Sequence, residues 1–204
     1  MDTKDGLKQL MREFAVEPDS DAGLKLLAYL ALLEKWNSRV NLTAQTTWTA
    51  LEPLFREGIW AAGLYPKEFR THLDIGSGAG FPAIILRVFQ EDMNLELVES
   101  RAKKGAFLET TAYELGLAKT SAIVKRLSDV LEECAPEKTW DCVSWKAIRL
   151  EKRDLAGLSE HMTENSRFWM FHGAKTAYPG LQREVMLPVP GRNESFLSIC
   201  KPLI

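Results

Sequence analysis

The chain has 204 residues, 46% of them hydrophobic, and a formal charge of −2. That suits one globular unit of ordinary size with a sizeable core, and it excludes a protein that coats nucleic acid indiscriminately, though not one that reads a structured RNA through a local basic patch. Cys134, Cys142 and Cys200 are scattered and odd in number, and His72, His161 and His172 form no paired motif. Free thiols in a reducing cytosol are the expectation, without a disulfide framework or a zinc site.

The opening stretch, "MDTKDGLKQLMREF", is charged and amphipathic and lacks the apolar core of a signal peptide. No apolar run reaches the length of a membrane span, so the expected location is the cytoplasm. Leu7, Leu10, Met11 and Phe14 fall at helical spacing and predict a first helix. "EPDSD" at 17–21 breaks the pattern and offers an N-cap. Leu26, Leu27, Leu30, Leu33 and Trp36 form the stripe of a second helix. Trp48, Leu51, Leu54, Phe55 and Ile59 mark a third, over roughly 47–62.

Beyond Thr71 the texture alternates. "HLDI", "LELVE", "SAIVK", "WDCVSW" and "RFWMF" read as short strands. Helical stretches separate them, among them "AKKGAFLETTAYELG", which ends at a capping Gly116. Such alternation predicts a parallel sheet with right-handed crossovers. "REVMLPVP" and "ESFLSICKPL", with no helix between them, predict an antiparallel hairpin at the sheet edge.

The stretch "HLDIGSGAGFPAII" (72–85) carries the chemistry. A strand stops at Asp74, then Gly76, Gly78 and Gly80 alternate before Pro82 opens the next helix. A tight βα turn needs one glycine; three point to a backbone that must approach a ligand at a helix N-terminus. The dinucleotide fingerprint puts its third glycine where this chain has Phe81, and the G-K-[ST] ending of a P-loop is absent. The D-x-G-x-G-x-G spacing fits the loop of class I S-adenosylmethionine (SAM) methyltransferases. In nucleoside-binding α/β folds an acid ending the second strand takes the ribose hydroxyls, and Glu99 stands there. Arg126, Leu127, Ser128 and Asp129 follow the third strand, at the place of an adenine wall. Lys146 and Arg149 follow the fourth, on the substrate side.

"LLEKWNSRVNLTA" (32–44), "LDIGSGAGFPAI" (73–84) and "LVESRAKKGAFLETTAYELGL" (97–117) resemble the RsmG, or GidB, family, bacterial methyltransferases of a guanine N7 in small-subunit ribosomal RNA. The W-N-x-x-x-N-L-T signature falls on Trp36, Asn37, Asn41, Leu42 and Thr43. The resemblance covers nearly the whole chain. It implies an α/β class I SAM-dependent methyltransferase (Rossmann-like) fold: a mostly parallel seven-stranded sheet with an antiparallel C-terminal hairpin. A helical extension at 1–66 would pack on a SAM-binding domain at 67–204. SAM contacts carry over to Gly76, Phe81, Leu127, Ser128 and Lys146, the last standing where the family has the arginine of S-R-A. Asp74, Gly78 and Glu99 join them on general class I logic. Lys146 is also the candidate catalytic residue. The implied cofactor is SAM, and the implied partner is ribosomal RNA or the small subunit, met by a monomer.

The departures cluster on the substrate side. R-H-x-x-D-S reads "REGIWA" at 56–61, with Trp60 in place of the aspartate; S-R-A reads "WKA"; and L-K-G reads "FHG", with His172 in place of a lysine. Two further readings therefore stand beside the family's: a methyltransferase with another RNA or small-molecule substrate, and a SAM-binding protein without catalysis that associates with RNA or ribosomes.

Overall fold

The computed structural model describes residues 2–174 and 181–203. Three helices come first: α1 (Thr3–Glu13), α2 (Asp21–Val40) and α3 (Trp48–Leu64). Leu7, Leu10 and Met11 bury one face of α1, and Gly6 lets that helix lie flat on the Trp48 indole of α3. Ser20 caps α2 by accepting from the Gly23 N–H at 3.1 Å.

The W-N-x-x-x-N-L-T signature proves to encode how α2 ends. Asn41 takes the left-handed conformation at the C-cap (φ 49°, ψ 59°), a place suited to Gly or Asn. The Asn37 side chain accepts from the Thr43 N–H at 2.8 Å, and Leu42 turns inward. Trp36 packs edge-on against Phe107, with ring centroids 5.8 Å apart.

The sheet then builds from β1 (Thr71–Ile75), α4 (Ala83–Phe89), β2 (Asn94–Val98), α5 (Ala102–Glu114), β3 (Thr120–Ile123), α6 (Leu127–Glu132), β4 (Cys142–Lys146), α7 (Lys152–Ser159) and β5 (Arg167–Gly173). The hairpin of β6 (Arg183–Pro188) and β7 (Ser195–Cys200) completes it. The order is β3-β2-β1-β4-β5-β7-β6. The first five are parallel, β7 runs antiparallel to β5, and β6 antiparallel to β7.

Alternation along the strands feeds two cores. Leu95, Leu97, Cys142, Trp169 and Phe171 face α1–α5, whereas Leu73, Val143, Trp145, Phe168 and Met170 face α6 and α7. The N-terminal helices thus share their apolar core with one face of the sheet. Gly58 is the contact point of α3 on α4, since a Cβ there would meet Ile85 at 2.5 Å. Gly116, at φ 62°, follows the C-cap of α5 as its sequence suggests.

Candidate functional site

Register brings the carboxyl ends of the central strands level: Ile75 lies beside Val98 on one side and Trp145 on the other. The glycine loop springs from β1 at this edge. Its Gly76 and Ser77 N–H groups donate to the Val98 carbonyl at 2.8 and 3.0 Å, and the Ser77 hydroxyl donates to the Asp74 carbonyl at 2.9 Å. Pro82 stands at the N-cap of α4, one place before the helical position its sequence suggests, after a cis Phe81–Pro82 bond.

All three glycines have positive φ, and their surroundings differ. A Cβ on Gly80 (φ 91°) would meet Ile84 at 2.6 Å, the Tyr29 hydroxyl at 3.1 Å and Leu108 at 3.3 Å. One on Gly76 would meet Ile148 at 3.1 Å. One on Gly78 (φ 57°) would have the Gly76 carbonyl at 3.7 Å as its nearest atom, with Lys104 Nζ at 4.0 Å. Gly76 and Gly80 therefore let protein pack on protein, while Gly78 faces space.

Glu99 reaches this open glycine. It is 7% exposed; its Oε2 accepts from the Gly78 N–H at 3.0 Å and its Oε1 from the Arg101 N–H at 2.9 Å. A carboxylate has about four lone-pair directions, so each oxygen keeps capacity for a second donor.

Asp74 lies beneath the loop, 2% exposed. Its register partner on β4 is Ser144, whose hydroxyl donates to Asp74 Oδ1. With its one proton so used, Ser144 accepts from His72 Nε2 at 2.7 Å. The His72 ring stacks on Tyr65 at 5.5 Å. Burial raises the Asp74 pKa to about 7, against the opposing pull of Ser144, Ser77 and Lys146, and lowers that of His72 to about 3.

These shifts act oppositely on stability. Between pH 4 and 7 an unfolded chain ionises Asp74 and the folded one resists, so Asp74 lowers stability as pH rises. Between pH 3 and 6.5 the unfolded chain protonates His72 and the folded one resists, so His72 raises stability as pH rises. Asp74→Asn is expected to remove the falling contribution and keep the rising one of His72. The variant should be more stable than wild type at pH 8, by up to about 1.4 kcal/mol for each pKa unit of the removed shift. Urea unfolding at pH 5 and pH 8 checks it; equal stability at pH 8 would show that Asp74 carries no buried charge there.

The remaining candidates divide. The Phe81 ring is core: it lies 5.2 Å from both Tyr29 and Phe55 and is 7% exposed, so only its backbone is left to a ligand. Leu127 and Ser128 do not sit in a free loop. They open the short helix α6, with the Ser128 hydroxyl on Asp129 at 3.0 Å. Lys146 ends β4 and folds onto Glu57 of α3. Burial lowers its pKa, and the Glu57 carboxylate counters that pull. His172 turns away onto β7, its ring nitrogens bonded to the Gly173 carbonyl at 2.7 Å and the Ser198 hydroxyl at 2.8 Å.

Glu57 escaped the sequence reading. It stands in the family's histidine position, 1% exposed, between buried Phe55 and Ile59, and it holds both Lys146 and Arg192. Its only local signal is a charge inside an apolar helix. Among the described residues no group of three or more His, Cys, Asp or Glu side chains could hold a metal, and no helix is long and apolar enough to cross a membrane.

This sheet order, with its reversed seventh strand and a glycine loop facing an acid across β1 and β2, defines the class I methyltransferase fold. Solved structures agree at the level of fold. Mitomycin 7-O-methyltransferase MmcR superposes with a TM-score of 0.60 at 15% identity, covering 83% of this chain and 60% of that one. A mutant of MtNAS in complex with S-adenosylmethionine gives 0.59 at 13% identity, covering 89% and 76%. The GidB family model, described as rRNA small subunit methyltransferase G, matches residues 23–198, and the chain belongs to that family. A ribosomal RNA small subunit methyltransferase G from Laribacter hongkongensis is 30% identical over 88% of this chain and 83% of its own length. One from Fusobacterium nucleatum is 36% identical over 64% of this chain, and the match spans 56% of that relative.

Proposed function

We propose that this chain uses SAM to methylate N7 of a guanine in small-subunit ribosomal RNA. The observation that carries the reading is Gly78: the one loop glycine facing open space, its N–H held by the Glu99 carboxylate. This cradle fits a nucleoside with free ribose hydroxyls, and family membership supplies the substrate class.

When bound, SAM supplies a methyl group activated by its sulfonium. Guanine N7 offers a lone pair and carries no proton, so the chain needs no general base. Its work is to hold and orient. Gly78 gives backbone access, Glu99 accepts from the ribose hydroxyls, and Asp74 supports the loop from beneath. The start of α6 at Leu127 and Ser128 walls the base, and Lys146 faces the incoming RNA. Positioning of this kind supplies roughly 7–11 kcal/mol of barrier reduction. The target guanine must be unstacked or in a loop, since the major groove of an RNA helix is too narrow for side chains.

Methyl transfer from radiolabelled SAM to small-subunit RNA, both naked and in assembled particles, tests the reading. Lys146→Ala is expected to lower transfer about tenfold or more, the loss of one charge-assisted contact. Lys146→Arg should preserve it or raise it by restoring a planar fork. Wild-type silence on every RNA form, with normal SAM binding in calorimetry, would reject the reading. It would leave a methyltransferase of another substrate, or a SAM-binding protein without catalysis.

A further inference from the structure

A carboxylate at 1% exposure inside an apolar helix is costly unless paired, and one partner suffices for neutrality. Glu57 has two. Lys146 reaches its Oε1 from the end of β4, and Arg192 Nη1 reaches its Oε2 at 3.0 Å from the turn between β6 and β7. That turn lies at the carboxyl edge of the parallel strands, because Ser195 pairs with Gly173 at the end of β5. Among the described residues no other carboxylate is within ion-pair distance of either cation, and the charge of Asp74 acts on Lys146 only from farther off.

Both cations also keep an outward side. Lys146 is 20% exposed at its side chain and Arg192 30%. A lysine ammonium has three protons and a guanidinium five N–H groups, so most donors remain after the bonds to Glu57. The support behind them is fixed. A Cβ on Gly191 (φ 71°) would lie 2.9 Å from Arg56 Cδ, so the turn rests on α3, and Arg56 is itself tied to Glu13 and Glu52. A buried anion thus holds one cation on each of its oxygens, and both cations keep part of their side chains and most of their donors free for a second anion.

We propose that Lys146 and Arg192 seat a backbone phosphate of the RNA next to the target nucleotide, with Glu57 as the positioning residue that holds them. The inference rests on the RNA reading above. The strand order favours RNA over SAM as the anion at Arg192, which belongs to a hairpin beyond β5, on the opposite side of β4 from β1, β2 and Glu99; Lys146, on β4 beside β1, stands between the two and is also the residue carried over as a SAM contact.

The test compares Arg192→Gln and Glu57→Gln with wild type in three measurements: SAM affinity by calorimetry, the KM for small-subunit RNA, and the salt dependence of RNA binding. Both variants should raise the RNA KM about tenfold or more, and in Arg192→Gln SAM affinity should stay within about threefold. Arg192→Gln should also flatten the logarithmic salt slope by about 0.7, the value for one single-strand phosphate contact.

A pH profile separates positioning from mere structure. The groups around the Lys146 ammonium are Glu57 of α3, Asp74 of β1 and Arg192 of the turn, and Glu57 is the carboxylate bonded to it. In Glu57→Gln the lysine loses its proton at lower pH, so the RNA KM should climb with pH across a range where wild type is flat. Glu57→Gln leaves two cations without their counter-charge; should it fail to fold, Arg192→Gln on the outer turn still decides. Unchanged KM and salt slope would overturn the phosphate seat. A fall in SAM affinity in Arg192→Gln that matches its fall in RNA affinity would reassign the seat to the SAM carboxylate and overturn it equally. A wild type inactive on all small-subunit RNA would fail the RNA reading itself, and this inference with it.

Discussion

Gly78→Val is expected to fold and to lose SAM binding, whereas Gly80→Val is expected not to fold stably. The two glycines lie two residues apart in one loop, and sequence alone does not rank them. At Gly80 a side chain would drive into Ile84, Tyr29 and Leu108, where α2, α4 and α5 converge, and all three of those residues are fully buried. Overpacking there, which alone costs about 1–3 kcal/mol, adds to the strain of φ 91°. At Gly78 the strain of a positive φ remains, about 1–2 kcal/mol for an ordinary residue and more for a β-branched one. No protein atom lies closer than 3.7 Å to its new Cβ, however. The branches would fill the space that a ligand needs and would disturb the N–H held by Glu99. Circular dichroism and urea unfolding report folding, and calorimetric titration with SAM reports binding. A folded Gly78→Val with wild-type affinity would show that the loop is not the cradle.

This contrast marks the limit of what the chain spells out. The alternation of strands and helices, the final hairpin and the loop after β1 follow from short-range pattern. So does the end of α2, where Asn37, Asn41 and Thr43 act within six residues of each other. What escapes is made by register and by distance. Ser144 meets Asp74 because β4 pairs with β1 in that register, which no local pattern dictates. Glu57 meets Lys146 and Arg192 across 89 and 135 residues of chain. Its helix would read as more regular with an apolar residue at that place, and the interruption is the only trace of the pair in the sequence. Lys146 was legible as a cation at a strand end. That it is clamped by a buried carboxylate was not.

Glu99→Ala should weaken SAM at least about tenfold and leave the global fold intact. Two charge-assisted hydrogen bonds to the ribose are worth roughly 1.5–3 kcal/mol each, so the full loss reaches about a hundredfold or beyond. The structure adds a second route to the same loss. Glu99 also bonds the N–H groups of Gly78 and Arg101 and so fixes the loop to the start of α5. The alanine variant loses the acceptor and loosens the cradle at once. Glu99→Gln separates the two effects: one amide oxygen can still accept from the loop, while the charge is gone and the other position has become a donor. Its affinity should fall between wild type and alanine. Unfolding by urea should show only a modest loss, about 1–3 kcal/mol in the alanine variant, because two backbone N–H groups lose their acceptor while no apolar contact is removed. Wild-type affinity in Glu99→Ala would remove the ribose role and leave Glu99 as a clasp of the loop alone. Equal losses in both variants would assign the whole effect to charge.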